Sequence, residues 1–190
     1  DEGIVIHAED TRILSCNIVA ANLLGISKDI LTGKFAHDTD FNFVNEDGSV
    51  MSIDDYPVNL IKRSKKPLKN KLLGIKNQIS RDIVWVTCNG ISIHDDEDKL
   101  IEIVISFKDV TQNIKSKLDL EFAAYNDYLT GLRNRRFYEE NLKSFDKEDN
   151  YPLTIVKADI NGLKLINDAF GHVSGDRLLI SAANLLNENC

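Results

Sequence analysis

Two stretches constrain the fold more tightly than anything else in the sequence. Ile83-Val84-Trp85-Val86-Thr87-Cys88 and Leu100-Ile101-Glu102-Ile103-Val104-Ile105-Ser106-Phe107 are dense in β-branched and aromatic residues, which suit a pleated, half-buried surface. His94-Asp95-Asp96-Glu97-Asp98 stands between them as turn chemistry, so the two read as long antiparallel neighbours. Shorter apolar runs open the chain, Gly3-Ile4-Val5-Ile6-His7 and Arg12-Ile13-Leu14-Ser15, with Glu9-Asp10-Thr11 as the turn between them. Helical patterns follow over residues 17–24, stopped by Gly25, and over residues 28–31, with Ser27 as the expected N-cap and Gly33 closing. Two strands, several short helices and then long antiparallel strands predict an α+β domain around a single curved sheet.

Hydrophobic residues make up 43% and charged residues 28%, a balance that excludes a disordered chain. A formal net charge of -7 gives no general attraction for polyanions, so nucleic acid is not an expected partner. One run cuts against that charge, Lys62-Arg63-Ser64-Lys65-Lys66-Pro67-Leu68-Lys69-Asn70-Lys71. With no aromatics interleaved and Pro67 at its middle, it reads as a solvated loop in preference to a phosphate or membrane site. Cys16, Cys88 and Cys190 form no C-x-x-C pair and show no ligand spacing against His7, His37, His94 or His172. They read as reduced thiols, as expected of a cytoplasmic protein. No apolar run approaches the roughly 18 residues of a membrane span, so no membrane contact is expected within this chain. An upstream anchor in a longer parent stays open.

Particular stretches give this order a family likeness. Asn17-Ile18-Val19-Ala20-Ala21-Asn22-Leu23-Leu24-Gly25-Ile26-Ser27 resembles the N-x-x-A-x-x-L-G-x-S helix of PAS domains. Asn45-Glu46-Asp47-Gly48-Ser49 with Asp55-Tyr56-Pro57-Val58 is similar to the D-G…P segment before that family's long helix. Asp109-Val110-Thr111 resembles its closing D-[IV]-T. The resemblance covers residues 1–110 and implies a sensor domain with a five-stranded antiparallel sheet and flanking helices. It names no ligand. Flavin-binding members carry an N-C-R-F-L-Q motif, and nothing like it occurs here. Haem-binding members need an axial His on the long helix, here about residues 54–63, which has none. Neither flavin nor haem is therefore expected, and the PAS ligand stays unknown. His37 lies near the expected pocket and reads first as a structural residue.

Residues 111–126 read as a signalling and dimerisation helix. Ile114, Leu118, Phe122, Tyr125 and Leu129 recur at helical spacing on one stripe, with Thr111 as the expected N-cap and Lys115, Lys117, Asp119 and Glu121 between them. A narrow apolar stripe on a charged helix needs a partner. In PAS-plus-output architectures that is the same helix of a second copy, in a short parallel coiled coil; the alternative is a fold-back onto the chain's own sheet.

Asp127-Tyr128-Leu129-Thr130-Gly131-Leu132-Arg133-Asn134-Arg135-Arg136 resembles the D-x-L-T-G-L-x-N-R-R opening of GGDEF domains, the diguanylate cyclase family of bacterial signalling proteins. After a helix and the turn Asn150-Tyr151-Pro152, residues 153–160 read as an apolar strand ending near a carboxylate. Asn161-Gly162-Leu163-Lys164-Leu165-Ile166-Asn167-Asp168-Ala169-Phe170-Gly171-His172-Val173-Ser174-Gly175-Asp176, with Asp159 ahead of it, is similar to the family's D-x-D-x-F-K-x-x-N-D-x-x-G-H-x-x-G-D. Residues 127–190 are thus expected to be the N-terminal part of a nucleotidyl-cyclase-like α/β domain with a ferredoxin-like palm.

A carboxylate at a strand end suits Mg²⁺, which takes one or two carboxylates plus phosphate oxygens. The resemblance assigns Asp159 and the carbonyl of Ile160 as metal ligands. Leu163 and Lys164 fall between strand and helix, where free backbone N–H groups suit substrate phosphates. Asn167 and Asp176 align with the family's guanine readers; a carboxylate can accept from both guanine N1–H and the 2-amino group, a pair that adenine lacks. Asp176 is also a candidate N-cap for a helix over about residues 176–186. His172 is expected to buttress the turn, and Arg135 and Arg136 to form a solvated face or salt bridges. Asn161 stands where many members have a second Asp, a departure that weakens the metal site only slightly.

The resulting reading is a PAS-regulated diguanylate cyclase that condenses two GTP into cyclic di-GMP with Mg²⁺, as a homodimer through the 111–129 helix and the PAS domain. The G-G-[DE]-E-F hairpin is not among the 190 residues. Catalytic residues are therefore expected beyond Cys190, and the 190-residue chain by itself is expected to be inactive. Two alternatives stand beside this: a degenerate GGDEF domain that binds GTP or a partner without turnover, and a pure sensor and dimerisation module. Residues after about 127 are expected to be loosely held, or ordered only by packing against another chain, since the sheet neighbours of the 153–160 strand would follow Cys190.

Overall fold

A computed structural model describes residues 2–38, 41–76 and 82–189; Cys190, one of the three thiols considered above, lies outside them. The chain divides into two units, Asp1–Ile114 and Lys115–Cys190. The strands of the first are β1 (Glu2–Ala8), β2 (Ile13–Cys16), β3 (Phe43–Val44), β4 (Leu68–Lys76), β5 (Ile83–His94) and β6 (Leu100–Asp109). They form one antiparallel sheet in the order β2-β1-β6-β5-β4-β3. The expected class, α+β on a single antiparallel sheet, is the one observed. Among the described residues the sheet has six strands rather than five, because the two-residue β3 pairs Phe43 with Ile75 and Val44 with Gly74 along β4.

Alternation along the strands sends one set of side chains inward. Val5, Leu73, Ile75, Val86, Cys88, Ile103, Ile105 and Phe107 are buried against three helices, α1 (Ile18–Leu24), α2 (Lys28–Leu31) and α3 (Pro57–Ser64), through Ala20, Leu31, Val58 and Ile61. Gly90 on β5 lets α3 come close: a Cβ there would lie 2.4 Å from Ile61 Cδ1 and 2.7 Å from Ile105 Cδ1. Asn17 ties α1 to the sheet. Its Oδ1 accepts from Ala20 N–H at 2.9 Å and Ile4 N–H at 3.0 Å, while Nδ2 donates to the Glu2 carbonyl at 2.8 Å. Gly25 ends α1 in the left-handed region, at φ 70°. Ser27 occupies the N-cap position of α2 but makes no side-chain cap bond.

The basic run does not form a loop throughout. Residues 62–64 finish α3, Lys65 takes a left-handed φ of 54°, and residues 68–71 open β4. Pro67 falls just ahead of the strand, where it removes no ladder bond, and Lys69 and Asn70 are both exposed where the pairing with β5 shifts register.

The exit from the sheet is stitched rather than merely connected. Val110 N–H donates to the Trp85 carbonyl at 2.9 Å, and Trp85 N–H donates to Thr111 Oγ1 at 2.9 Å. Helix α4 (Thr111–Tyr125) starts there. Thr111 is its first residue and not its N-cap; its own N–H is taken by the Asp109 carboxylate at 2.8 Å, and its hydroxyl is engaged by β5. Ile114, Leu118, Phe122 and Tyr125 lie on α4, whereas Leu129 lies beyond its end.

The second unit also contains α5 (Arg135–Phe145), α6 (Leu163–Phe170) and α7 (His172–Asn189). Residues 153–160 are not a strand: they carry no ladder bonds and are almost wholly exposed. An apolar run becomes a strand only when another segment pairs with it, and none does among the described residues. The ferredoxin-like palm is accordingly not formed there. Helix α7 begins at His172, so Asp176 sits inside its first turns and does not cap it.

Candidate functional site

The D-x-L-T-G-L turn is built on Asp127. Its Oδ1 accepts from the Thr130 N–H at 2.9 Å and the Thr130 hydroxyl at 2.7 Å, and these bonds hold the carboxyl below the usual carboxylate range. Gly131 supplies the positive φ, 72°, that lets its N–H reach the Asp127 carbonyl at 2.9 Å while Asp127 N–H reaches Leu132. Asn134 then starts α5: Oδ1 accepts from Phe137 N–H at 3.0 Å, and Nδ2 donates back to the Ala124 carbonyl at 3.0 Å. Arg135 and Arg136 form salt bridges, to Glu139 at 2.7 Å and Glu140 at 2.8 Å. The Tyr125 hydroxyl also donates to Glu140, at 2.9 Å, joining the end of α4 to α5. The Arg136 guanidinium and the Tyr125 hydroxyl together keep the Glu140 carboxyl below its ordinary range. The turn is therefore a hydrogen-bonded joint between the end of α4 and the start of α5.

Downstream, Ala158, Asp159, Ile160 and Leu163 line an open groove with Leu179, Ala182, Leu185 and Leu186 of α7. Three of the six candidate site residues, Asp159, Ile160 and Leu163, thus share one groove. Gly162, at φ 78°, turns the chain into α6, and Leu163 and Lys164 are the first residues of that helix. The Asp159 carboxylate is exposed and has no ion-pair partner among the described residues. No cluster of three or more His, Cys, Asp or Glu side chains suited to a metal exists among the described residues. The donors at Asp159 and Ile160, one carboxylate and one peptide carbonyl, fit Mg²⁺, whose remaining positions phosphate oxygens and water normally fill.

Of the other three, Lys164 lies in the first turn of α6, and Asn167 and Asp176 sit at the α6–α7 junction. Asn167 is on α6, and its Oδ1 is buried with no hydrogen-bond partner among the described residues. Its side chain lies against Gly175, whose neighbour Asp176 is exposed. The Asn167 carbonyl accepts from Gly171 N–H at 2.9 Å, which closes the tight turn between the helices. His172, the first residue of α7, is exposed beside that turn.

In the first unit a cavity of about 30 Å³ is lined by Val5, His7, Phe41, Phe43, Tyr56 and Phe107, among others. That is room for two or three waters, at roughly 10–15 Å³ each. His37 is not on its wall but stacks on Phe35 at 5.1 Å. The histidine that sequence reasoning passed over is His7. It is buried, and its Nδ1 lies 2.8 Å from the Thr11 carbonyl. A carbonyl can only accept, so Nδ1 carries the proton. Burial moves the His7 pKa below 6.5, partly offset by that hydrogen bond. Its signal in the sequence was only its place in an alternating strand. The Cys88 thiol is likewise buried, and its pKa is pushed up to about 12.

Residues 124–190 match the family described as "Diguanylate cyclase, GGDEF domain". The chain is 36% identical over 90 residues, 47% of its length, to the cyclic di-GMP phosphodiesterase PdeB of Shewanella oneidensis, of which the match covers 10%. It is 29% identical over 188 residues, 96% of its length, to the diguanylate cyclase DgcM of Escherichia coli O157:H7, of which the match covers 42%. The chain thus spans less than half the length of these curated relatives. Among solved structures, the PAS domain of the fruit-fly ELK potassium channel aligns with a TM-score of 0.46 at 15% identity, covering 58% of this chain and 87% of that one. No helix among the described residues is long and apolar enough to cross a membrane.

Proposed function

We propose, from the GGDEF match over residues 124–190, that the whole protein is a sensor-regulated diguanylate cyclase that condenses two GTP into cyclic di-GMP. The observation that carries this is the ordered pair of motifs, 127–136 and 159–176, within the matched segment. The shared groove of Asp159, Ile160 and Leu163 supports it, because metal and phosphate duties then fall on adjacent residues. Asp159 and the Ile160 carbonyl would hold Mg²⁺, which when bound supplies charge stabilisation to transferring phosphate and activation of the attacking hydroxyl. Leu163 and Lys164, at the start of α6, would meet phosphates, and Asn167 with Asp176 would read guanine. Residues 1–110 would sense, and residues 111–126 would pair two copies so that two bound GTP can meet. The exposed Leu118 and Phe122, at 58% and 53%, support that pairing.

The test is cyclic di-GMP formation from GTP and Mg²⁺ by the full-length protein. Asp159→Asn is expected to lower turnover by on the order of 100-fold or more, as loss of a charge-stabilising group does. Asn167→Ala and Asp176→Ala are expected to raise KM roughly tenfold with kcat little changed, since they remove binding contacts. Near wild-type turnover in Asp159→Asn would sink the metal assignment. The 36% identity to a phosphodiesterase favours a second reading, a domain that binds GTP without condensing it. GTP binding with no product in the same assay would select it.

A further inference from the structure

Gly175 is the fourth residue of α7 and is buried. Its backbone is ordinary helix, where alanine would be favoured over glycine by about 1 kcal/mol. Something other than backbone geometry therefore favours the missing side chain. A Cβ on Gly175 would stand 1.9 Å from Asn167 Oδ1, 2.9 Å from its Cγ and 3.3 Å from its Nδ2. All three nearest atoms belong to one carboxamide. No Cβ tolerates 1.9 Å, so an alanine at 175 and this placement of Asn167 exclude each other.

The same carboxamide has a cost of its own. Its Oδ1 is buried without a partner, and an unsatisfied buried acceptor costs about 1–3 kcal/mol. A seam shaped only for packing α6 on α7 would carry an apolar residue at 167 and alanine at 175. Two unfavourable choices meeting at one point are the mark of a site held for use. We infer that Gly175 is a positioning residue: its missing Cβ forms the slot that fixes the Asn167 carboxamide beside Asp176. Its consequence for nucleotide binding rests on the GTP reading above.

The test is calorimetric titration of GTP, with Mg²⁺, into the full-length wild type, Gly175→Ala, Asn167→Ala and the double variant. Gly175→Ala is expected to weaken GTP about tenfold, one binding hydrogen bond's worth. The double variant is expected to bind like Asn167→Ala alone, because the slot then holds nothing. Gly175→Ala binding within twofold of wild type overturns the inference. So does a double variant tenfold weaker than Asn167→Ala. Should Gly175→Ala fail to fold, the double variant must restore folding; if it does not, the slot is not the reason for the glycine. Should the wild type bind no GTP, the cyclase reading fails and the slot is still decided by NMR. The Asn167 side-chain amide signals are then expected to shift and exchange faster in Gly175→Ala, and unchanged signals overturn the inference.

Discussion

Asn17 and Asn134 use both halves of a carboxamide in the same way. The oxygen caps the helix that follows, and the NH₂ reaches back to an earlier element, to Glu2 of β1 in one case and to Ala124 of α4 in the other. Each is thereby a cap and a tie at once. His7 is a different kind of buried polar residue, neutral and titratable. Its folded pKa lies below 6.5, so the unfolded chain binds the proton more readily as pH falls. Stability from a neutral His7 is present above about pH 6.5 and is lost as pH falls toward the folded value. The first unit's unfolding midpoint is expected to drop as pH falls below about 6.5, and His7→Gln to flatten that drop. Equal slopes in denaturant melts of the two proteins would show that His7 is not the titrating group. Asn17 and Asn134 were legible only as members of motifs whose spacing is local, and their capping bonds were not. His7 and the Asn167–Gly175 contact were not, because burial and a missing partner belong to the packed molecule.

At the scale of elements, residues 83–94 and 100–109 show what alternation can establish. β5 is paired on both sides, by β4 and β6, so pattern and pairing agree. The apolar run 153–160 has equal β character and no ladder. Composition specifies which segments suit a sheet, but a ladder also needs a second segment, often distant in the chain, and propensity is blind to it. The same blindness produced the expected loop at 62–71, whose second half pairs with β5. Hydrogen exchange on the 190-residue chain is expected to be slow at Val86, Cys88, Ile103 and Ile105 and fast across residues 155–160. Slow exchange across 155–160 would mean that this segment has found a partner strand.

For the molecule as a whole, one unit closes a core on itself, and the other exposes much of what its sequence offers for burial. Leu165 and Phe170 on α6, and Leu185 on α7, are all exposed. On α4 the exposed Leu118 and Phe122 are those expected to pair two copies. Leu118→Glu is expected to weaken a dimer of the full-length protein by about tenfold or more, as a buried charge without a partner would. An unchanged sedimentation profile across a dilution series would remove α4 from the interface. The stitching of Val110 and Thr111 to both main-chain groups of Trp85 has a practical corollary for recombinant chimeras. The first unit, joined to another domain by splicing after Ile114, keeps those bonds. A splice before Val110 strips Trp85 of two partners and leaves the graft's last strand to fray, so the transplantable module is defined by hydrogen bonds that run a few residues past its sheet.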